Sequence, residues 1–211
     1  MAKSKNDDMA SLGVLMAEFV GTFALAFAVL ASINGVLSTF IATPVVAGLA
    51  LFLSVLTIGG ISGSHINPGV TLGLLSIGKI SPAKAVSYVA AQVAGAFAAL
   101  GVMDAVVEGT VMRLSAGTAD SRVFFAEAIG MAIFGFGVAA AVYNKYEGVH
   151  AAAVVGGSLL LGIMFASVAA NGVLNPAVAF ALDSVNGVYL FAPVVGSAAG
   201  MWIYRIIQEN K

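Results

Sequence analysis

The tripeptides Asn67-Pro68-Gly69 and Asn175-Pro176-Ala177 lie inside strongly apolar sequence, where a helix-breaking residue is normally excluded. Proline is tolerated at the first position of a helix, because the N–H it lacks has no intrahelical partner there, and Asn is a favoured cap just before it. Each tripeptide therefore reads as a helix start. The apolar runs that follow, residues 70–77 and 178–182, are too short to cross a hydrocarbon core of about 30 Å, which takes about 20 helical residues. They enter partway and return. Irregular backbone at that depth is tolerated only where protein buries it or where it borders a watery cavity, so the two tripeptides imply a cavity within a membrane domain.

The membrane setting follows from composition. Hydrophobic residues make up 60% of the chain and charged residues 9%, with a mean hydropathy of +1.03, which places it in the polytopic membrane class. A net charge of -1 without a basic cluster excludes nucleic acid as a partner. The absence of cysteine excludes disulfides and thiolate metal sites. No nucleophile, base and orienting group share a recognisable spacing, so an enzyme is the least supported class, and neither a metal nor a cofactor is expected. Residues 1–10 read as a polar tail with no signal-cleavage pattern, and residues 11–211 as one membrane domain.

Six segments approach spanning length: residues 12–33, 41–58, 83–103, 123–143, 150–168 and 188–207. With the amino terminus cytoplasmic, Lys3, Lys5, Lys79, Lys84, Lys145, Arg205 and Lys211 fall inside and only Arg113 and Arg122 outside. Insertion favours that bias, so both termini are expected in the cytoplasm.

The halves repeat. Glu18-Phe19-Val20-Gly21 matches Glu127-Ala128-Ile129-Gly130, and the distances from these Glu residues to the following Asn are 49 and 48 residues. Three spans per copy force the second copy, about residues 120–208, to insert upside down relative to the first, about 11–105. The fold class is therefore an all-α membrane protein with six transmembrane helices, two re-entrant half helices and an inverted 3+3 repeat. Asn67 and Asn175 then approach from opposite sides and meet near the midplane. Gly95 and Ala99, with Gly196 and Gly200, supply small-residue spacing for close helix crossings.

The chain resembles the aquaporin, or major intrinsic protein, family. The resemblance rests on Ala17-Glu18-Phe19-Val20-Gly21-Thr22, on the run from Ser62 to Thr71 around Asn67-Pro68-Gly69, and on Asn175-Pro176-Ala177. It implies a passive pore for water or small uncharged solutes in each subunit, within the lipid bilayer of the cell membrane, and a homotetramer.

Asn67 and Asn175 are the leading site candidates, with Pro68 and Pro176 setting the helix starts. Each carboxamide oxygen can be held by backbone N–H groups of its own helix, leaving the NH2 to donate to a passing oxygen. The paired helix N-termini add positive potential that opposes cations. Capping alone is the plainer alternative, and it leaves the pairing unexplained. Glu18 and Glu127 need partners inside a span. They are either a proton relay or acceptors for the irregular backbone of the Asn-Pro loops, and the resemblance implies the second. His65 lies two residues before Asn67, where the resemblance suggests a vestibule, though a packed neutral histidine is an equal alternative. Tyr88, Tyr143, Tyr189, Tyr204 and Trp202 fall near span ends and read as an aromatic belt. Asp183 ends the second half helix, where its charge suits the helix dipole poorly.

Selectivity is where the sequence departs from the family. An Arg usually follows the second signature, and here Val178 stands in its place. Counting from the two Asn residues puts the other filter positions at Ala47, Ile163 and Gly172, all small or apolar. Such a filter is wider and drier than a water-specific one, because ring bulk and guanidinium donors are both missing. Ala179 stands where the glycerol-conducting branch often has Asp, and Gly69 where Ala is usual. Two rival readings stay open: a secondary transporter, since inverted repeats with broken helices also build those, and a protein with a closed, dewetted pore.

Overall fold

The computed structural model describes residues 9–35 and 42–211, and residues 1–8 of the expected amino-terminal tail, with Lys3 and Lys5, lie outside them. Among the described residues eight helices follow in order: α1 Leu12–Ile33, α2 Thr43–Ser62, α3 Pro68–Ser76, α4 Pro82–Val106, α5 Ser121–Tyr143, α6 Gly148–Ala166, α7 Pro176–Ala181 and α8 Gly187–Glu209. No strand occurs among the described residues. Six helices are long and apolar enough to cross a membrane, and α3 and α7 are the two half helices. At 1.5 Å per residue the half helices reach about 14 and 9 Å, so neither crosses the membrane.

Local sequence sets the boundaries. Ser11, Ser81, Asp120 and Asn186 cap α1, α4, α5 and α8 through backbone N–H groups of the first turn. The Arg122 N–H, followed by its guanidinium, holds the Asp120 carboxyl below the ordinary aspartate value. Helix α2 runs four residues past the expected end at Ile58. Gly59 and Gly60 do not stop it, and it closes only at Gly63, whose φ of 89° forms a left-handed cap bonded to the Gly59 carbonyl. Asp183 finds its explanation in the same way. It takes φ 57° just beyond α7, a conformation Asp tolerates, while Ser184 N–H bonds the Ala179 carbonyl.

The halves are related by a pseudo-twofold axis, and equivalent residues near that axis differ by 108 in number. Gly48 of α2 and Gly156 of α6 face each other across it. A Cβ on Gly156 would sit 2.7 Å from the Gly48 carbonyl oxygen, and one on Gly48 would sit 3.0 Å from that of Gly156. Elsewhere Gly95 packs on the Phe19 carbonyl of α1, and Gly196 and Gly200 on the Ala128 and Ala132 carbonyls of α5. These are the close crossings that the small-residue spacing predicts. Gly200→Val is expected to separate α5 from α8 and abolish recovery of monodisperse protein from detergent, because backbone cannot give way as a side chain can. Normal yield and elution would show that this crossing tolerates a side chain.

The aromatic residues divide. Trp202 is exposed and Tyr143 and Tyr204 are half-buried, as a belt requires. Tyr88 and Tyr189 are instead inside the bundle, 0% and 2% exposed. The Tyr88 hydroxyl donates to the Ser62 carbonyl at 2.6 Å, and the Tyr189 hydroxyl accepts from Asn171 N–H at 3.2 Å. Irregular backbone beside the half helices offers these hydroxyls protein partners in place of water.

Candidate functional site

The Asn-Pro tips meet. Asn67 caps α3 by accepting from Gly69 N–H at 2.7 Å, and Asn175 caps α7 by accepting from Ala177 and Val178 N–H at 3.0 and 3.3 Å. Each then reaches across the axis: Asn67 Nδ2 donates to the Leu174 carbonyl at 2.9 Å, and Asn175 Nδ2 to the Ile66 carbonyl at 3.0 Å. One of the two hydrogens on each NH2 is therefore spent joining the tips, and the other is left to donate elsewhere. Sequence reasoning left both hydrogens to the solute, since the crossing appears only once the loops are folded.

The loops before the tips are strained alike. Ser64 and Ile66 take φ 50° and 41°, and their equivalents Gly172 and Leu174 take 65° and 51°. Left-handed backbone at Ile66 and Leu174 costs energy in a β-branched or bulky residue. It turns successive N–H groups toward one point, where a carboxylate waits. Glu127 accepts from Val173 N–H at 3.0 Å and Leu174 N–H at 2.8 Å. Glu18 accepts from His65 and Ile66 N–H at 3.0 and 2.7 Å, and also from Ser62 Oγ at 2.6 Å and Gln92 Nε2 at 2.7 Å. Both carboxylates are fully buried.

The first half carries more. Gln92 Nε2 also reaches Thr71 Oγ1 at 3.0 Å, and that hydroxyl lies 3.1 Å from His65 Nδ1. A polar chain thus runs from Glu18 to the edge of a cavity. The equivalents of Thr71 and His65 are Ala179 and Val173, so the second half has no such chain. Gln92, a carboxamide in the middle of an apolar span, is the available sequence signal for it.

Two cavities flank the tips. The first, about 680 Å³, lies toward the termini and is bordered by Val55, Ser64, His65, Val70 and Phe134, with Lys145 and Glu147 at its mouth. The second, about 370 Å³, lies toward the α4–α5 linker. Ala47, Ile163, Gly172 and Val178 all border this second cavity, together with Asn175. Asn67 borders neither cavity and is 2% exposed between them. The linings correspond through the repeat, with Val55, Ser64, Val70 and Leu74 on one side and Ile163, Gly172, Val178 and Leu182 on the other. Val178 is thus the counterpart of Val70. Among its described lining residues the second cavity has no charged and no aromatic side chain. Gly69 is tight: a Cβ there would lie 3.0 Å from Met131 Cε and 3.1 Å from Asn67 Oδ1, which accounts for its difference from Ala177.

Six spanning helices in inverted halves, closed by two half helices that cap one another, define a polytopic membrane protein built on paired re-entrant loops. The chain belongs to the major intrinsic protein family, whose family model matches residues 5–204. Among its relatives, Nodulin-26 of Glycine max is 33% identical over 92% of this chain and 77% of its own length. Aquaporin NIP1-3 of Oryza sativa subsp. japonica is 34% identical over 92% of this chain and 73% of its own. The X-ray structure of the aquaglyceroporin from Plasmodium falciparum superposes with a TM-score of 0.69, covering 92% of this chain and 94% of that one at 23% identity. That likeness supports the fold.

Proposed function

We propose that this protein is a passive channel of the cell membrane, with both termini cytoplasmic, that conducts water and small uncharged solutes such as glycerol. Asn67 and Asn175 are its midpoint donors, and Ala47, Ile163, Gly172 and Val178 form a wide apolar filter on the linker side. The observation that carries this reading is the pair of cavities on opposite faces, bordered by equivalent residues of the two repeats, with the joined tips between them. Helix starts at Pro68 and Pro176 set positive potential at that depth, so a neutral solute passes where a cation is opposed.

Lys79, Lys84, Lys145, Arg205 and Lys211 belong to the termini face, against Arg113 and Arg122 on the linker face, which supports the orientation. An impermeant thiol label that modifies Thr118→Cys on intact cells fits it, and one that modifies only the opened membrane does not.

Reconstituted vesicles test the function. Shrinkage and re-swelling in stopped flow should be faster than in empty vesicles for both water and glycerol. Glycerol flux should rise linearly with concentration and ignore ion gradients. Saturating, gradient-dependent flux would instead support the transporter, and flux equal to that of empty vesicles the closed protein. Against the transporter, the buried carboxylates within the spans, Glu18 and Glu127, are already engaged by loop N–H groups and, at Glu18, by the Ser62 and Gln92 side chains.

A further inference from the structure

The two cavities are related by the repeat, yet the one toward the linker has little more than half the volume of the other, about 370 against 680 Å³. Most of its lining has a counterpart across the axis: Leu25, Val29 and Ile33 correspond to Phe134, Val138 and Val142. Leu114 has none. It comes from residues 107–120, the connection between the two copies, which occurs once in the chain and is outside the repeat.

That connection is tied down from both halves. Asn34, at the end of α1, holds Met112 in a two-way bond, accepting from its N–H at 2.6 Å and donating to its carbonyl at 3.1 Å. Leu114 N–H donates to the Leu182 carbonyl at 2.7 Å, and the Leu114 carbonyl accepts from Ser184 Oγ at 3.3 Å. Asn171 Nδ2 and Asn186 Nδ2 hold the next two carbonyls, of Ser115 and Ala116, at 3.0 and 3.3 Å. Val111 is buried to 7% exposure just before this stretch. A segment bonded at consecutive residues by both halves is a fixed part of the wall, and its half-buried leucine packs against the core around Leu182.

Resting on the channel reading above, we propose that Leu114 is a specificity-determining residue: the α4–α5 linker closes one side of the filter, and this side chain sets the largest neutral solute admitted from that face. Asn34 is a positioning residue that keeps it there. The four apolar filter residues lie on repeat elements, with Val155, Val55, Ser64 and Val70 as their counterparts in the larger cavity. Among the described lining residues, Leu114 is the one that no repeat element supplies.

The test is vesicle uptake of glycerol, erythritol and xylitol in turn. Leu114→Ala is expected to admit the next longer polyol and raise flux of the parent's limiting solute several-fold, with water flux little changed. Asn34→Ala, which frees Met112 and leaves Leu114 in the chain, should move the limit the same way. Because the chain has no cysteine, a methanethiosulfonate reagent modifies Leu114→Cys alone, and modification should remove most glycerol flux. Thr118→Cys, exposed further along the linker, should be modified without loss. The inference is overturned if Leu114→Ala leaves the size limit where it was, if Leu114→Cys escapes modification, or if the modified protein conducts like the unmodified one. The channel reading then still stands, provided that the parent passes glycerol. A parent that passes none overturns both.

Discussion

Glu18→Leu is expected to leave no folded protein in detergent extracts of the membrane, whereas Glu127→Leu leaves a destabilised but detectable one. By distance and angle Glu18 accepts from four donors, two of them side chains, and Glu127 from two backbone N–H groups with that of Gly172 also directed at it. Each donor stranded without a partner costs about 1–3 kcal/mol. The losses are then about 4–12 and 2–6 kcal/mol, set against a usual folding stability of about 5–15 kcal/mol. Removing the buried carboxylate returns part of this by sparing its desolvation, but the donors stay behind. Glu18→Gln keeps one acceptor oxygen and should fall between the parent and the leucine variant. Fluorescence-detected size exclusion across a temperature series ranks the four proteins. Equal losses at the two positions would mean that Ser62 and Gln92 add nothing to the support of the first loop.

The second large effect is on permeation. Val178→Arg should lower glycerol flux by about tenfold or more, equivalent to at least about 1.4 kcal/mol on the barrier, while reducing water flux much less. Val178 is 3% exposed and borders a cavity of about 370 Å³ with Ala47, Ile163 and Gly172. A guanidinium there fills space that a three-carbon solute needs and supplies fixed donors that water can use. Its charge also adds to the positive potential of the half-helix starts. Stopped-flow measurement of both fluxes in one vesicle preparation reads the ratio without regard to protein yield. An unchanged ratio would remove Val178 from the path.

Much of this architecture is legible in the sequence. The paired tripeptides, the spacing from Glu18 and Glu127, and the length of the apolar runs gave the inverted halves and the half helices, because backbone polar groups in hydrocarbon have so few arrangements. Counting from the two Asn residues names Ala47, Ile163, Gly172 and Val178, which border one cavity, since a repeat carries its geometry with its numbering. Tyr88 and Tyr189 read as belt residues in the sequence but are buried in the bundle. Their places near span ends are what a belt looks like in one dimension, and only the neighbouring irregular loops show that their hydroxyls have partners inside.

The sequence by itself determined the membrane setting, the inverted halves and the meeting of two half-helix starts, all consequences of local rules about proline, apolar length and unpaired backbone. Tertiary structure alone decided that each Asn spends a hydrogen on the opposite loop, that Gln92 and Thr71 join Glu18 to His65, and that Leu114 borders one cavity. Those three depend on contacts between segments far apart in the chain, and the distance between such segments is set by packing, which no local pattern encodes.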